Sequence, residues 1–154
     1  MKHLIPEFEK LRARFPPGFE SSLLLPCLRR IQEDRGHVAD SDIEDLTVYL
    51  GVPRIQIEEV LSFYTQFRRK PIGRWHLQLC RNISCSMRGA EDILAHVEKR
   101  LGLKPGQTSP DSRYTLSTAE CLGSCGTAPM MMVNNAYHEG LTCAKVDTLL
   151  DGLE

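Results

Sequence analysis

Residues 75–85, WHLQLCRNISC, join an alternating apolar segment directly to two cysteines, and residues 114–125, YTLSTAECLGSC, repeat that arrangement. Alternation of apolar and polar side chains is typical of a β-strand, so each cysteine pair is predicted to follow a strand. The four cysteines in these two loops are Cys80, Cys85, Cys121 and Cys125. Two loops with two thiolates each predict a four-thiolate metal or cluster site.

The spacing of the cysteines leaves three kinds of site open. In a 2Fe–2S cluster each iron takes two protein thiolates, so two pairs are the required stoichiometry. A structural zinc ion also takes four cysteines; the C-x₃-C pair fits its usual spacing, and the C-x₄-C pair lies at the edge of it. Gly123 and Gly126 flank Cys125 and allow backbone N–H groups to approach sulfur. These features favour the 2Fe–2S cluster, with zinc next and disulfides last.

The composition is that of a globular protein with no electrostatic sign of nucleic-acid binding. The 154 residues are 42% hydrophobic and 25% charged, enough for one domain or two small ones. With 19 basic and 20 acidic residues and no polybasic stripe, we expect no nucleic-acid partner. Residues 1–7 lack the apolar run of an export signal, and no segment predicts direct membrane insertion. We therefore expect a reducing, cytoplasmic location with thiolates free to bind metal.

Apolar residues spaced three and four apart predict a small helical bundle over residues 1–72. The predicted helices run from Glu7 to Phe15, from Ser21 or Ser22 to Gly36, from Asp40 to Gly51, and from Pro53 onwards. The composition changes at 68–73, RRKPIG, so the boundary of the first domain is predicted after residue 72.

Residues 73–154 are predicted to form an α/β domain with ligand loops at strand ends. The predicted strands are 75–79, 114–119, 130–133 and 136–138; the predicted helices are 89–101 and 144–153, with a loop over 104–112. The whole chain is thus predicted to be α+β, a helical bundle followed by an α/β domain.

Three segments together resemble the thioredoxin-like 2Fe–2S subunit of the respiratory NADH dehydrogenase, complex I. They are the stretch from SFY at 62–64 to RKPIG at 69–73, the C-x₄-C of 80–85, and ECLGSCGTAP at 120–129. The resemblance covers nearly the whole chain, because the N-terminal helices also follow the family pattern. It implies a thioredoxin-like fold for residues 73–154 and one 2Fe–2S cluster. The ligands that it implies are Cys80, Cys85, Cys121 and Cys125.

The same resemblance implies partners that this chain needs for its activity. The chain has no Gly-x-Gly-x-x-Gly loop, so we expect neither NADH nor FMN to bind to it. The family's partner is a flavoprotein subunit that carries FMN and the NADH site, and larger iron–sulfur subunits belong to the same complex. The implied role is electron transfer between the cluster and that FMN in an NADH:quinone oxidoreductase. Such a complex would hold the chain peripherally on the cytoplasmic face of the inner membrane.

Two alternatives remain. The first alternative is the equivalent diaphorase subunit of an NAD-reducing hydrogenase or of an NAD-dependent formate dehydrogenase, because related subunits occur in those enzymes. Loop residues 82–84 and 87–90 are more similar to the complex I branch, whereas the chain ends at Glu154, before the tail of many complex I versions. The second alternative is a non-redox adaptor in which the same four cysteines hold structural zinc.

Several further residues are predicted to have structural roles. Cys27 and Cys143 are each expected to be small buried hydrophobes rather than ligands. Three methionines at 130–132 are expected to pack in the core rather than to form a soft-metal site. Neighbouring side chains in a strand face opposite sides of the sheet, so the three sulfurs would not converge on one ion. The aromatic group of Phe63, Tyr64 and Phe67 is expected to be bundle core or to include a partner-facing residue.

Overall fold

The computed structural model describes residues 1–153, and the chain divides into one unit from Met1 to Pro71 and a second from Ile72 onwards. The first unit is helical and the second combines a mixed sheet with helices, which confirms the predicted α+β class. That the two units are separate domains stays a proposal. Among the described helices, none has the length and apolar character needed to cross a bilayer.

The first unit contains four α-helices within residues 1–71. Their bounds are α1 Ile5–Arg12, α2 Leu24–Arg35, α3 Asp40–Leu50 and α4 Arg54–Phe63. Gly36 and Gly51 end α2 and α3 with φ of 79° and 68°, as their positions in the sequence predict. The predicted start of this helix at Ser21 or Ser22 is wrong, because a 3₁₀ turn over Glu20–Leu23 leads directly into α2 at Leu24.

The core of the first unit is built from the apolar stripes of these helices. Its fully buried side chains include Phe8, Leu28, Ile31, Ile43, Leu46 and Ile57. The Phe8 ring packs on Tyr49 with their ring centroids 5.5 Å apart. At the start of α3 the buried Asp42 carboxylate accepts from the Ala39 N–H at 3.0 Å and pairs with Arg35 at 2.7 Å. The capping carboxylate thereby joins the end of α2 to the start of α3.

The second unit is organised around a five-stranded sheet. Its strands are β1 Trp75–Cys80, β2 Gln107–Thr108, β3 Tyr114–Ala119, β4 Met131–Val133 and β5 Ala136–His138. Their order is β2-β3-β1-β4-β5, with β1 and β3 parallel and the other pairs antiparallel. Its helices are α5 Ile83–Ser86, α6 Ala90–Leu101 and α7 Cys143–Asp151.

Two elements of this unit were not predicted. The segment expected to be a loop contains β2, whose two exposed residues pair with Thr115 and Leu116 of β3. The loop between the first two cysteines contains α5, a single helical turn. Neither segment is long enough to show a periodicity, so only the surrounding structure defines them.

Gly73 allows β1 to start alongside β3. A Cβ atom at this position would lie 2.7 to 2.9 Å from backbone atoms of Arg113 and Tyr114, closer than non-bonded atoms allow. Its N–H donates to the Thr115 hydroxyl at 2.6 Å. This close approach brings Trp75 opposite Tyr114 and continues to Cys80 opposite Ala119.

Candidate metal centre

The parallel pairing of β1 and β3 brings the two cysteine loops to one edge of the sheet. Cys80 is the last residue of β1 and lies opposite Ala119, the last residue of β3, so Cys121 follows two residues later. The Arg81 N–H donates to the Ala119 carbonyl at 2.9 Å, and the Cys80 N–H donates to the Met130 carbonyl at 3.2 Å. Three segments of the sheet unit are therefore joined where the cysteines begin.

The first cysteine pair is buried. Cys80 and Cys85 are each 1% exposed and pack with Ala90, Ala128 and Met130. The pKa of the Cys85 thiol is raised, mainly by burial and to a smaller extent by interaction with the neighbouring Cys80 thiol. The two cysteines therefore lie close together in an apolar environment, although four residues separate them in the sequence.

The second cysteine pair lies at the surface. Cys121 and Cys125 are both exposed, and Cys125 begins a 3₁₀ turn over Cys125–Thr127. Gly123 has a φ of 80°, a conformation that favours glycine, and its N–H donates to the Cys121 sulfur at 3.4 Å. The expectation that a glycine would direct a backbone N–H at a sulfur thus has a counterpart in the structure.

The two pairs are electrostatically linked. A thiolate at Cys125, like one at Cys80, lies close enough to Cys85 to raise the pKa of the Cys85 thiol, in addition to the effect of burial. No disulfide joins any of the six cysteines, all of which lie in the described part of the chain. Within residues 1–153, no three Cys, His, Asp or Glu side chains are gathered into a single-ion site.

The donor set fits a 2Fe–2S cluster. Such a cluster needs two soft thiolates for each of two irons, and the chain offers two reduced pairs on neighbouring loops. The Gly123 N–H on the Cys121 sulfur is the kind of outer hydrogen bond that commonly supports a sulfur ligand. The four-cysteine ligand set itself stays a prediction.

The two remaining cysteines differ from each other. Cys27 is fully buried in the first unit, where burial raises its pKa to about 12, so its predicted role as a small buried hydrophobe is confirmed. The same prediction is wrong for Cys143, which is exposed as the first residue of α7. Cys143 lies three and seven residues before the buried Val146 and Leu150, a spacing that predicts a buried side chain on the same face of the helix. Residues 142–145 are nevertheless all exposed, because this end of α7 extends beyond the core.

The exposed fractions of the methionine and aromatic side chains show which of them belong to the core. Met130 and Met131 are fully buried, which confirms core packing for both. No local pattern in the sequence marks Met130 as a neighbour of the cysteines, because its side chain contacts them only in the folded sheet. In the first unit, Phe67 is 8% exposed and part of the core, whereas Phe63 is 78% exposed.

Comparison with known proteins supports the predicted family. Residues 8–154 match the model of the family described as "Thioredoxin-like [2Fe-2S] ferredoxin". One NADH-quinone oxidoreductase subunit, from Rhizobium meliloti (strain 1021), is 44% identical over 145 residues, covering 94% of this chain and 85% of that protein. NADH-quinone oxidoreductase subunit 2 of Thermus thermophilus is 36% identical over 146 residues, covering 94% of this chain and 81% of that protein.

A solved structure shares the fold. In the crystal structure of the NAD+-reducing [NiFe]-hydrogenase in the air-oxidized state, a similar region has a TM-score of 0.74 and 22% sequence identity. The match covers 84% of this chain but only 22% of that chain, so it is evidence for the fold alone. Together with the family match, it confirms the thioredoxin-like fold predicted by resemblance.

Proposed function

Because the chain belongs to the thioredoxin-like 2Fe–2S ferredoxin family, we propose that it is an electron-transfer subunit of an NADH:quinone oxidoreductase. In this proposal Cys80, Cys85, Cys121 and Cys125 hold one 2Fe–2S cluster. The observation that carries the proposal is the parallel pairing of β1 and β3, which delivers both cysteine pairs to one edge of the sheet.

The protein residues at this edge have distinct roles in the proposal. Cys80 and Cys85 would bind from the buried side, where Met130 excludes water. Cys121 and Cys125 would bind from the exposed side, with the Gly123 N–H available to a sulfur. When bound, the cluster supplies a centre that takes up and releases one electron at a time.

The partner in this proposal is a flavoprotein subunit that carries FMN and the NADH site. Larger iron–sulfur subunits would complete the complex, and the chain would be attached to the membrane only through them. Single electrons would pass between the cluster and the partner's FMN. The exposed position of Cys121 and Cys125 supports this step, because it leaves one side of the site open to a partner.

Anaerobic mixing of the loaded chain with its flavoprotein subunit tests this electron exchange. We mix the dithionite-reduced chain, freed of dithionite, with the oxidised subunit, and separately mix the oxidised chain with the NADH-reduced subunit. We expect exchange in at least one direction, seen as a change in the cluster's EPR signal together with flavin absorbance. NADH added to the loaded chain without the flavoprotein subunit should leave the cluster's EPR signal unchanged. Absence of exchange in both directions, or direct reduction by NADH alone, would overturn the proposed role.

A surface beside the buried cysteines is suited to contact with that flavoprotein subunit. Ile83 is 71% exposed and Met87 is 82% exposed, one at each end of the turn that contains Cys85. Arg81 and Arg88 flank them in the sequence, and both are exposed. Methionine and arginine are enriched at protein interfaces. We call residues 81, 83, 87 and 88 the α5 surface, which fits a partner with an apolar patch and an acidic rim.

We expect the double substitution Ile83→Glu with Met87→Glu to weaken binding of the flavoprotein subunit by roughly tenfold or more. Two carboxylates would be desolvated where apolar side chains dock, and they would repel an acidic rim. Calorimetric titration of the loaded chain measures the effect. Ile55→Glu is the matched control, because Ile55 is also 71% exposed but lies on α4. Equal affinities for the double variant and the wild type would exclude the α5 surface as the docking site.

A further inference from the structure

The loop that carries Cys121 and Cys125 is held differently from the other cysteine loop. Cys80 and Cys85 are fixed by burial, with each side chain 1% exposed. Cys121 and Cys125 are exposed, as are Gly123 and Gly126 between and beside them. Within this loop the partly buried Leu122 packs against the cluster of the first cysteine pair, but the two cysteines themselves are not fixed by burial.

A carboxylate from a different part of the chain contacts this loop. The Thr127 hydroxyl donates to Glu139 Oε1 at 2.7 Å, and the Ser124 hydroxyl donates to the same oxygen. The two hydroxyl oxygens lie 2.9 Å apart. Ser124 immediately precedes Cys125 and Thr127 ends the 3₁₀ turn that Cys125 begins, so a single oxygen fixes both sides of this cysteine.

The backbone around Glu139 is fixed by hydrogen bonds to the rest of the unit. The preceding residue, His138, is paired with Met131 in the sheet. The Gly140 N–H donates to the Thr127 carbonyl at 2.7 Å, and the Leu141 N–H donates to the Pro129 carbonyl at 2.9 Å. Leu141 is only 6% exposed and belongs to the main core of the unit. Backbone hydrogen bonds therefore hold the chain both before and after Glu139, which fixes the position of its carboxylate.

We propose that Glu139 is a positioning residue for Cys125 and that its charge lowers the reduction potential of the cluster. The inference rests on the proposed function, since it assumes that Cys125 binds the cluster. Hydrogen-bonded neighbours that orient a ligand commonly change metal affinity about tenfold or more when they are removed. Here the oriented element is a loop with two exposed thiols.

The effect of the charge has a definite sign. Reduction adds one electron to the cluster, so a nearby negative charge disfavours the reduced form. Removal of the Glu139 charge should therefore raise the reduction potential. Glu139 is exposed, and solvent screens its charge, so the shift should be small and should decrease at high ionic strength.

Two substitutions separate the hydrogen bonds from the charge. Glu139→Gln keeps a side-chain oxygen that accepts from both hydroxyls but removes the charge. Glu139→Ala removes both. Asp111→Ala is the matched control, because the Asp111 carboxylate also accepts from a serine hydroxyl, that of Ser109 at 2.5 Å, within a different turn. All variants are made in the full chain and loaded with iron and sulfide anaerobically.

The readouts are the rate of cluster loss to a chelator, the EPR spectrum of the reduced cluster, and its reduction potential by redox titration. We expect Glu139→Ala to lose the cluster about tenfold faster than the wild type and to broaden the EPR lines. Glu139→Gln should restore both properties and raise the potential, and Asp111→Ala should match the wild type throughout. Circular dichroism checks that each variant is folded.

The proposal fails if Glu139→Ala retains the cluster as the wild type does, or if Glu139→Gln loses it as fast as Glu139→Ala. An unchanged potential in Glu139→Gln would overturn the assigned effect of the charge. These outcomes differ from failure of the proposed function, in which the wild-type chain itself would bind no 2Fe–2S cluster.

Discussion

Replacement of Cys85 by serine is expected to abolish the 2Fe–2S cluster. Cys85 is 1% exposed and is buried beside Cys80, in the cluster that also contains Ala90, Ala128 and Met130. A serine hydroxyl is a harder and less acidic donor than a thiol and binds iron of this kind poorly. We expect the iron content to fall from about two per chain to near zero, measured after anaerobic loading and desalting.

Two other cysteines serve as controls for this result. Cys143→Ser changes an exposed side chain at the start of α7, and Cys27→Ser changes a buried one in the first unit. Both variants should keep the visible absorption and EPR spectra of the loaded wild type. A bleached Cys143→Ser variant, or a Cys85→Ser variant with wild-type iron, would show that the ligand set is wrong.

Phe8→Ala is expected to lower the free energy of unfolding of the first unit by about 3–5 kcal/mol. The Phe8 side chain is fully buried, and its ring packs on Tyr49 at a centroid distance of 5.5 Å. Truncation removes that apolar area and leaves a cavity among α1, α2 and α3. Urea unfolding of the full chain, followed by circular dichroism, measures the loss.

Phe19→Ala is the control for this prediction, because Phe19 is 57% exposed. We expect it to change the free energy of unfolding by less than about 0.5 kcal/mol. If the two units are separate domains, Phe8→Ala should also keep the EPR spectrum of the cluster while folded. A loss below about 1 kcal/mol would show that Phe8 is not a central core residue.

Much of the fold could be predicted because its signals are local. Gly36 and Gly51 mark helix ends through a backbone conformation that favours glycine. The alternation in 75–79 predicts β1, and Tyr114–Ala119 is a strand with the predicted bounds. The two cysteine pairs could be placed at strand ends because each pair directly follows such a segment.

The features that were missed depend on contacts between distant residues. Strand β2 exists because Gln107 and Thr108 pair with β3, which no local pattern of two exposed residues reveals. The contact of Glu139 with Ser124 joins residues 15 positions apart across a hairpin. Cys143 has the spacing of a buried helix residue but lies in a first turn that is exposed. Periodicity shows which residues share a face, but not where the neighbouring core ends.

The most direct test of the account is the iron, zinc and labile sulfide content of the full chain after anaerobic purification, together with EPR after dithionite reduction. We predict about two irons and two sulfides per chain, no bound zinc, and an EPR signal that appears only on reduction. One zinc per chain with no labile sulfide, or cysteines joined to one another as disulfides, would contradict electron transfer by this protein.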